Sequence, residues 1–135
     1  MEIVCVRLTS GAKLRESIYE IAQEHDIEAG IILTCLGSLQ AVNIRLAGAM
    51  AALSTQANFE IISLTGTFNN CSQGHFHISV SDKEGNCLGG HLLDDNIVAT
   101  TAEIVLGILP KKQFLREKDP ETGYLELIIK NDLLR

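Results

Sequence analysis

Gly74–His91, reading GHFHISVSDKEGNCLGGH, is the stretch from which the rest of the chain is read. His75-Phe76-His77-Ile78-Ser79-Val80-Ser81 alternates polar and apolar side chains, the pattern of a half-buried strand. Asp82-Lys83-Glu84-Gly85-Asn86 then supplies the residues of a turn. Residues two apart on a strand share a face, so His75 and His77 lie opposite Phe76, Ile78 and Val80. A three-residue loop, Lys83-Glu84-Gly85, closes such a hairpin as a type I turn followed by Gly85 in the left-handed region. That closure pairs Asp82 with Asn86, and counting outward from the pair places His77 across from His91. His75 is then the diagonal neighbour on the same face. Opposed Cβ atoms lie about 5 Å apart and diagonal ones about 7 Å apart, within which three imidazoles can converge on one ion. A slip of one residue would turn His91 to the other face and dissolve the arrangement.

A chain of 135 residues is most simply one domain, residues 1–135, large enough to bury a core without disulfide or metal staples. Its 46% hydrophobic and 21% charged content is that of a globular protein and not of a disordered or membrane one. Tryptophan is absent and aromatics are few, so the expected core is built from Ile, Leu, Val and Ala. The net charge of −6 argues against an unaided grip on nucleic-acid backbones, which needs clustered Lys and Arg. Lys111-Lys112 and the Arg116/Lys118 neighbourhood come nearest to a basic patch, and they read as solvated strand ends. Cys5, Cys35, Cys71 and Cys87 form no C-x-x-C pair, and there is no signal-peptide pattern or membrane-length apolar run. The expectation is reduced thiols, several of them in the core, in a cytoplasmic protein without membrane partners.

Glu2–Thr9 has strand composition, with Ile3, Cys5 and Arg7 on one face and Val4, Val6 and Leu8 on the other. Leu14, Ile18, Ile21 and Ala22 recur at helical spacing within Lys13–His25, with Ser10 as the expected N-cap and Glu16 in an early turn. His25, near the C-terminal end, reads as a capping or surface residue. Gly30–Leu36 is almost continuously apolar, as in a strand buried on both faces, and Gly37-Ser38 is expected to interrupt it. Ala41–Leu46 forms a next strand, Gly48–Ser54 a loop, and Asn58–Phe68 a strand in which Gly66 marks a bulge or a close backbone approach. Ile97–Leu109 reads as a strand. Asp119-Pro120-Glu121-Thr122-Gly123 turns a terminal hairpin between Gln113–Glu117 and Tyr124–Lys130. The sum is an α+β fold: a curved, mainly antiparallel β-sheet with one main helix packed on it.

Three neutral imidazoles with an open fourth position suit catalytic zinc, which acidifies water and polarises carbonyl groups. Imidazole also suits iron, copper and nickel, and the plainer alternative is three hydrogen-bonding histidines on a half-exposed sheet. Glu103 stands out among the carboxylates because Ala102, Ile104, Val105 and Leu106 surround it. A charge there faces solvent, finds a partner or lines a site.

With these residues in view, the chain resembles the plants-and-prokaryotes-conserved domain family in its stand-alone prokaryotic form. The matching pieces are Leu36-Gly37-Ser38, Phe59–Phe68, Gly74–Asp82, Gly85 with Gly89-Gly90-His91, Thr101-Ala102-Glu103 and Asp119–Tyr124. The resemblance implies a fold similar to that of acetolactate decarboxylase and of a zinc-dependent ester hydrolase, and assembly as a homotrimer with sites near subunit boundaries. It implies a divalent metal, zinc, held by His75, His77 and His91, with Glu103 as an acid/base or supporting group. The expected chemistry is hydrolytic or carbonyl-polarising, on an unidentified small molecule. Plant relatives carry the domain beside AT-hook motifs in nuclear DNA-binding proteins, but no Arg-Gly-Arg-Pro core occurs in this sequence. The alternative is therefore a non-enzymatic oligomerisation or DNA-associated regulatory module, separable from the first reading by DNA binding that survives loss of the histidines.

Overall fold

The computed structural model describes residues 1–48 and 50–131. In chain order the elements are β1 (Glu2–Thr9), α1 (Leu14–Glu24), β2 (Gly30–Arg45), β3 (Ala52–Thr55), β4 (Phe59–Phe68), β5 (Gly74–Ser81), β6 (Cys87–Leu92), β7 (Ile97–Ile108), β8 (Lys112–Lys118) and β9 (Leu125–Asn131). One sheet runs β1-β7-β2-β4-β5-β6, with β3 paired to β2, and β8 and β9 form a separate hairpin. All the named pairings are antiparallel. The α+β expectation, a mainly antiparallel curved sheet with one main helix, is what the fold has.

The sixteen-residue β2 organises the sheet. Its first part lies between β4 and β7, and its last part reaches β6 through Ile44↔Leu92 and Arg45↔His91. Strands β2, β4, β5 and β6 thereby close on one another, which removes the exposed edge that β6 would otherwise offer. Gly90 permits this closure, because a Cβ there would stand 2.5 Å from the carbonyl oxygen of Arg45. Buried Asn96 fastens the same corner. Its side chain accepts the Asn43 backbone N–H at 2.8 Å and donates to the carbonyls of Asn43 at 2.9 Å and Leu93 at 2.8 Å.

The helix buries Leu14, Ile18, Ile21 and Ala22 as its spacing requires. These pack with Leu39, Val42, Ile78, Val80, Leu92, Ile104 and Leu106 in one core. Burial of each large aliphatic or aromatic side chain contributes about 1.5–3 kcal/mol. Aliphatic residues dominate, but the four phenylalanines, Phe59, Phe68, Phe76 and Phe114, are all buried too. Phe68 stacks on Phe76 with ring centroids 5.9 Å apart.

Several local expectations change. Lys13, not Ser10, occupies the N-cap position and makes no side-chain cap bond there; Gly11 and Ala12 are held instead by backbone bonds with Val98 and Thr9. Gly37-Ser38 does not end a strand, because β2 continues through it with a register shift against β7 between Gly37 and Leu39. The bulge of β4 lies between Ile61 and Ser63, and Gly66 is instead the close backbone approach that is the other expectation there, its missing Cβ making room for Phe76 and the His75 carbonyl. Part of Gly48–Ser54 is strand, since β3 pairs with the far end of β2. Nor is Gly30–Leu36 buried on both faces: Leu33 is 43% and Leu36 50% exposed. Of the cysteines, Cys35 is buried and Cys5, Cys71 and Cys87 are exposed.

Candidate metal centre

The register of β5 and β6 is the one the turn demands. Asp82 and Asn86 close the hairpin, with the Asp82 N–H donating to the Asn86 carbonyl at 3.0 Å. The Asp82 carboxylate also accepts the backbone N–H groups of Glu84 and Asn86, each at 2.9 Å, and these bonds hold it below the usual carboxylate range. Gly85 has φ of 84°, the left-handed conformation expected of it. From there the ladder runs through Ser81↔Cys87, Val80↔Leu88 and Ile78↔Gly90 to His77↔His91. Phe76, Ile78 and Val80 face the core, so the imidazoles of His75 and His77 face away from it.

The three rings converge. His75 Nε2 lies 3.1 Å from His77 Nε2, and ring centroids are 4.7 Å apart for His75–His77, 5.0 Å for His75–His91 and 5.9 Å for His77–His91. One ligating nitrogen from each ring falls within 4.8 Å of the others. Two nitrogens on a tetrahedral zinc at about 2.05 Å stand roughly 3.3 Å apart, close to the His75–His77 spacing. His91 Nδ1 is buried without a hydrogen-bond partner, a costly state that coordination of an ion would relieve. Burial, then Arg45 and the other two histidines, pushes the His91 imidazole down to about 4. His75 is likewise lowered, first by burial and then by His77 and Arg116. Rings that resist protonation keep their lone pairs for a cation.

A cleft of about 1000 Å³ opens beside the triad, lined by His75, His91, Arg45, Arg116, Tyr19 and Tyr124 among others. The helix contributes Glu16, Tyr19, Glu20 and Gln23, a stripe next to its buried one. The β8–β9 hairpin supplies the opposite wall. Its buried Phe114 anchors it through a backbone bond to the Glu28 carbonyl at 3.0 Å and through its own carbonyl, which accepts from Asn69 Nδ2 at 2.8 Å.

The sequence-expected residues divide at this point. His75, His77 and His91 come together, while His25 sits exposed at the helix C-cap, as expected for a terminal residue. Glu103 does not join them. It lies exposed on β7, opposite Arg7 of β1 and Leu36 of β2, and is not among the residues lining the cleft. Leu36, the β2 partner of Glu103, lies nine residues along β2 from Arg45, the partner of His91, about 30 Å of strand at the usual rise, which sets Glu103 apart from the triad within one chain. Arg116, expected on the surface, is half-buried and donates to Thr67 Oγ1 at 3.0 Å. Arg45 carried no signal in the sequence, since only the return of β2 to β6 puts it opposite His91.

Comparison with known proteins agrees with this architecture. The profile of the Plants and Prokaryotes Conserved (PCC) domain matches residues 1–110. The chain belongs to the PCC domain family. Beyond the matched residues lies the β8–β9 hairpin, so this PCC domain draws one wall of its cleft from outside the shared profile. Two Synechococcus proteins named bifunctional protein GlmU are 38% and 36% identical over 130 residues. The match covers 96% of this chain, which spans only about a fifth of their length. A solved structure from Salmonella enterica is 37% identical with a TM-score of 0.94, covering 98% of this chain and 95% of that one. A metal-containing protein from Archaeoglobus fulgidus shares the fold with a TM-score of 0.79 at 23% identity, over 95% and 94% of the two chains. So does a Bacteroides thetaiotaomicron protein described as a candidate DNA-binding protein, with a TM-score of 0.83 at 22% identity over 93% and 91%.

Proposed function

We propose that this PCC domain, taken as one unit over residues 1–135, binds a divalent metal, zinc, through His75, His77 and His91, and works as a cytoplasmic homotrimer on a small molecule. The observation that carries the reading is the convergence of three imidazole nitrogens within 4.8 Å, with one buried ring nitrogen left unpartnered. The fold it shares with a metal-containing Archaeoglobus protein supports it. All three ligands are neutral nitrogen donors, a set that suits zinc and leaves a fourth position for a reactant. The bound ion would supply Lewis acidity, which suits hydrolytic or carbonyl-polarising chemistry. The chain's own part is to hold the rings: the Gly85 turn sets their register, and the low proton affinity of His91 keeps its lone pair available at neutral pH.

Assembly draws support from the uncovered sheet face, where Ile3, Leu33 and Leu36 are 49%, 43% and 50% exposed. Glu103 lies beside that face, opposite Leu36, so in the proposed trimer its acid/base or supporting role would be exercised at a subunit boundary and not toward its own chain's histidines.

Elemental analysis of purified protein before and after zinc loading tests the metal. One equivalent per chain is expected, reduced to background in a His77→Ala/His91→Ala double variant; absence of stoichiometric metal in both wild-type samples refutes the reading. A second reading, a DNA-associated regulatory or oligomerisation module, draws on the likeness to the Bacteroides protein. Salt-dependent DNA binding that persists after replacement of all three histidines would favour it, against the expectation set by a net charge of −6.

A further inference from the structure

The sheet register arranges more than the triad. Antiparallel partners share a face, so Thr65, His77, His91 and Arg45 form one row across β4, β5, β6 and β2. Thr67 and His75 form the row beside it, and Thr67 Oγ1 receives Arg116 from the hairpin. The triad therefore lies between two guanidinium groups, one brought by closure of β2 onto β6 and the other by docking of β8.

Their states differ from those of Arg15, Asp94 and Glu126 in the cleft, whereas Glu20 has no side-chain bond among the described residues and Glu16 keeps Oε1 unpartnered. Arg15 is committed to Asp94 at 2.8 Å and to the Leu92 carbonyl at 3.1 Å. Glu16 accepts the Asp95 N–H at 3.0 Å, and Glu126 accepts the Thr122 hydroxyl at 2.9 Å. Arg45 has no side-chain hydrogen bond or ion pair among the described residues, and Arg116 uses one nitrogen on Thr67. A guanidinium presents five donors in a planar fork, so both arginines have capacity left toward the cleft. The charged side chains acting on His91 beyond the triad are cationic, Arg45 ahead of Arg15. At His75 the effects of Arg116 and Arg45 exceed that of Glu126. The cleft as a whole also carries Glu16, Glu20, Asp94 and Glu126, so the positive influence of Arg45 and Arg116 is local to the histidines.

We propose that the cleft binds a small molecule through an oxyanion, carboxylate or phosphate, held between Arg45 and Arg116 beside the histidine triad. The placement deepens the metal-site reading and rests on it for the identity of the reacting end. Charge-assisted, forked contacts of this kind fix both the position and the orientation of an anion. The cleft volume of about 1000 Å³ leaves room for the remainder of the molecule between Tyr19 and Tyr124.

The test follows the arginine Nε–Hε signals by NMR while inorganic phosphate, and separately acetate, is added at constant chloride ionic strength to metal-free and to zinc-loaded protein. Saturable shifts of the Arg45 and Arg116 signals are expected with at least one anion. Affinity should fall about tenfold or more in Arg45→Met and in Arg116→Met, and stay unchanged in Lys83→Met, at the far end of the β5–β6 hairpin. Circular dichroism confirms that each variant is folded, and the two arginine variants serve as checks on each other. Shifts that do not saturate, or affinity unaltered in both folded arginine variants, overturn the proposal. Zinc content measured on the same samples separates the two ideas: zinc bound without anion binding removes the oxyanion site alone, whereas anion binding without zinc removes the metal reading alone. The stronger of the two anions identifies the headgroup.

Discussion

At the scale of single residues, His91 has the most consequential environment. Its folded value of about 4 lies below the ordinary 6.5, so between those two pH values the unfolded chain takes up a proton that the native state refuses. Stability from this group is present above about pH 6.5 and is lost as pH falls toward 4. Thermal melts of metal-free protein are expected to show a falling Tm across that window, and His91→Gln should flatten the fall; an equal slope in wild type and variant would assign it to other groups. Zinc binding should also persist at pH 6, where an ordinary histidine is largely protonated, and isothermal titration at pH 6 and 7.5 measures this directly. Cys35 shows the opposite effect of burial, which pushes its thiol up to about 12. Iodoacetamide should therefore label Cys5, Cys71 and Cys87 well before Cys35 in the native protein, with labelling sites read by mass spectrometry.

At the scale of elements, the β2–β6 closure positions one side of the site and the β8–β9 hairpin the other. Gly90→Val would drive a side chain into the Arg45 carbonyl, whose oxygen stands 2.5 Å from where the new Cβ would lie. Overpacking of this kind costs about 1–3 kcal/mol, to be read from urea unfolding, and should weaken zinc binding because His91 sits one residue away. Asn96→Ala removes three bonds at the same corner and takes this partner from the part-buried Asn43 N–H and Leu93 carbonyl, while the Asn43 carbonyl keeps the Leu93 N–H; each group left unpaired costs about 1–3 kcal/mol. Undiminished stability in both variants would mean that the corner contributes little. The β5–β6 hairpin itself was legible in the sequence, because alternation, an Asp-to-Asn turn and one glycine specify a register locally. The docking of β8 was not: Phe114 and Arg116 are far in the chain from Asn69 and Thr67, and no periodicity links them.

At the scale of the whole molecule, the outer face of the sheet carries exposed Ile3, Leu33 and Leu36 in a chain whose helix covers only the inner face. Apolar sheet surface left in water favours association. Light scattering coupled to size-exclusion chromatography is expected to give a trimer for the wild type and smaller species for Leu36→Lys; a wild-type monomer at micromolar concentration would refute the assembly. The apolar run Gly30–Leu36 suggested burial on both faces, and within one chain only the inner face is covered. Composition reports that a segment avoids water without saying whether the cover comes from its own chain or another.

By itself the sequence determined the secondary-structure class, the helix stripe, the turn at Gly85 and hence the pairing of His77 with His91, since each depends on residues close together in the chain. It also carried the family membership, through motifs spread in order from Leu36 to Glu103, whereas Asp119–Tyr124 lies beyond the matched residues 1–110. Tertiary structure alone decided that β2 runs unbroken past Gly37 and returns to β6, that Arg45 and Arg116 flank the histidines, and that Glu103 stands apart from them. Those outcomes depend on how strands distant in sequence close on one another. A local pattern reports which face a side chain takes, but only the closed sheet establishes which side chains share it.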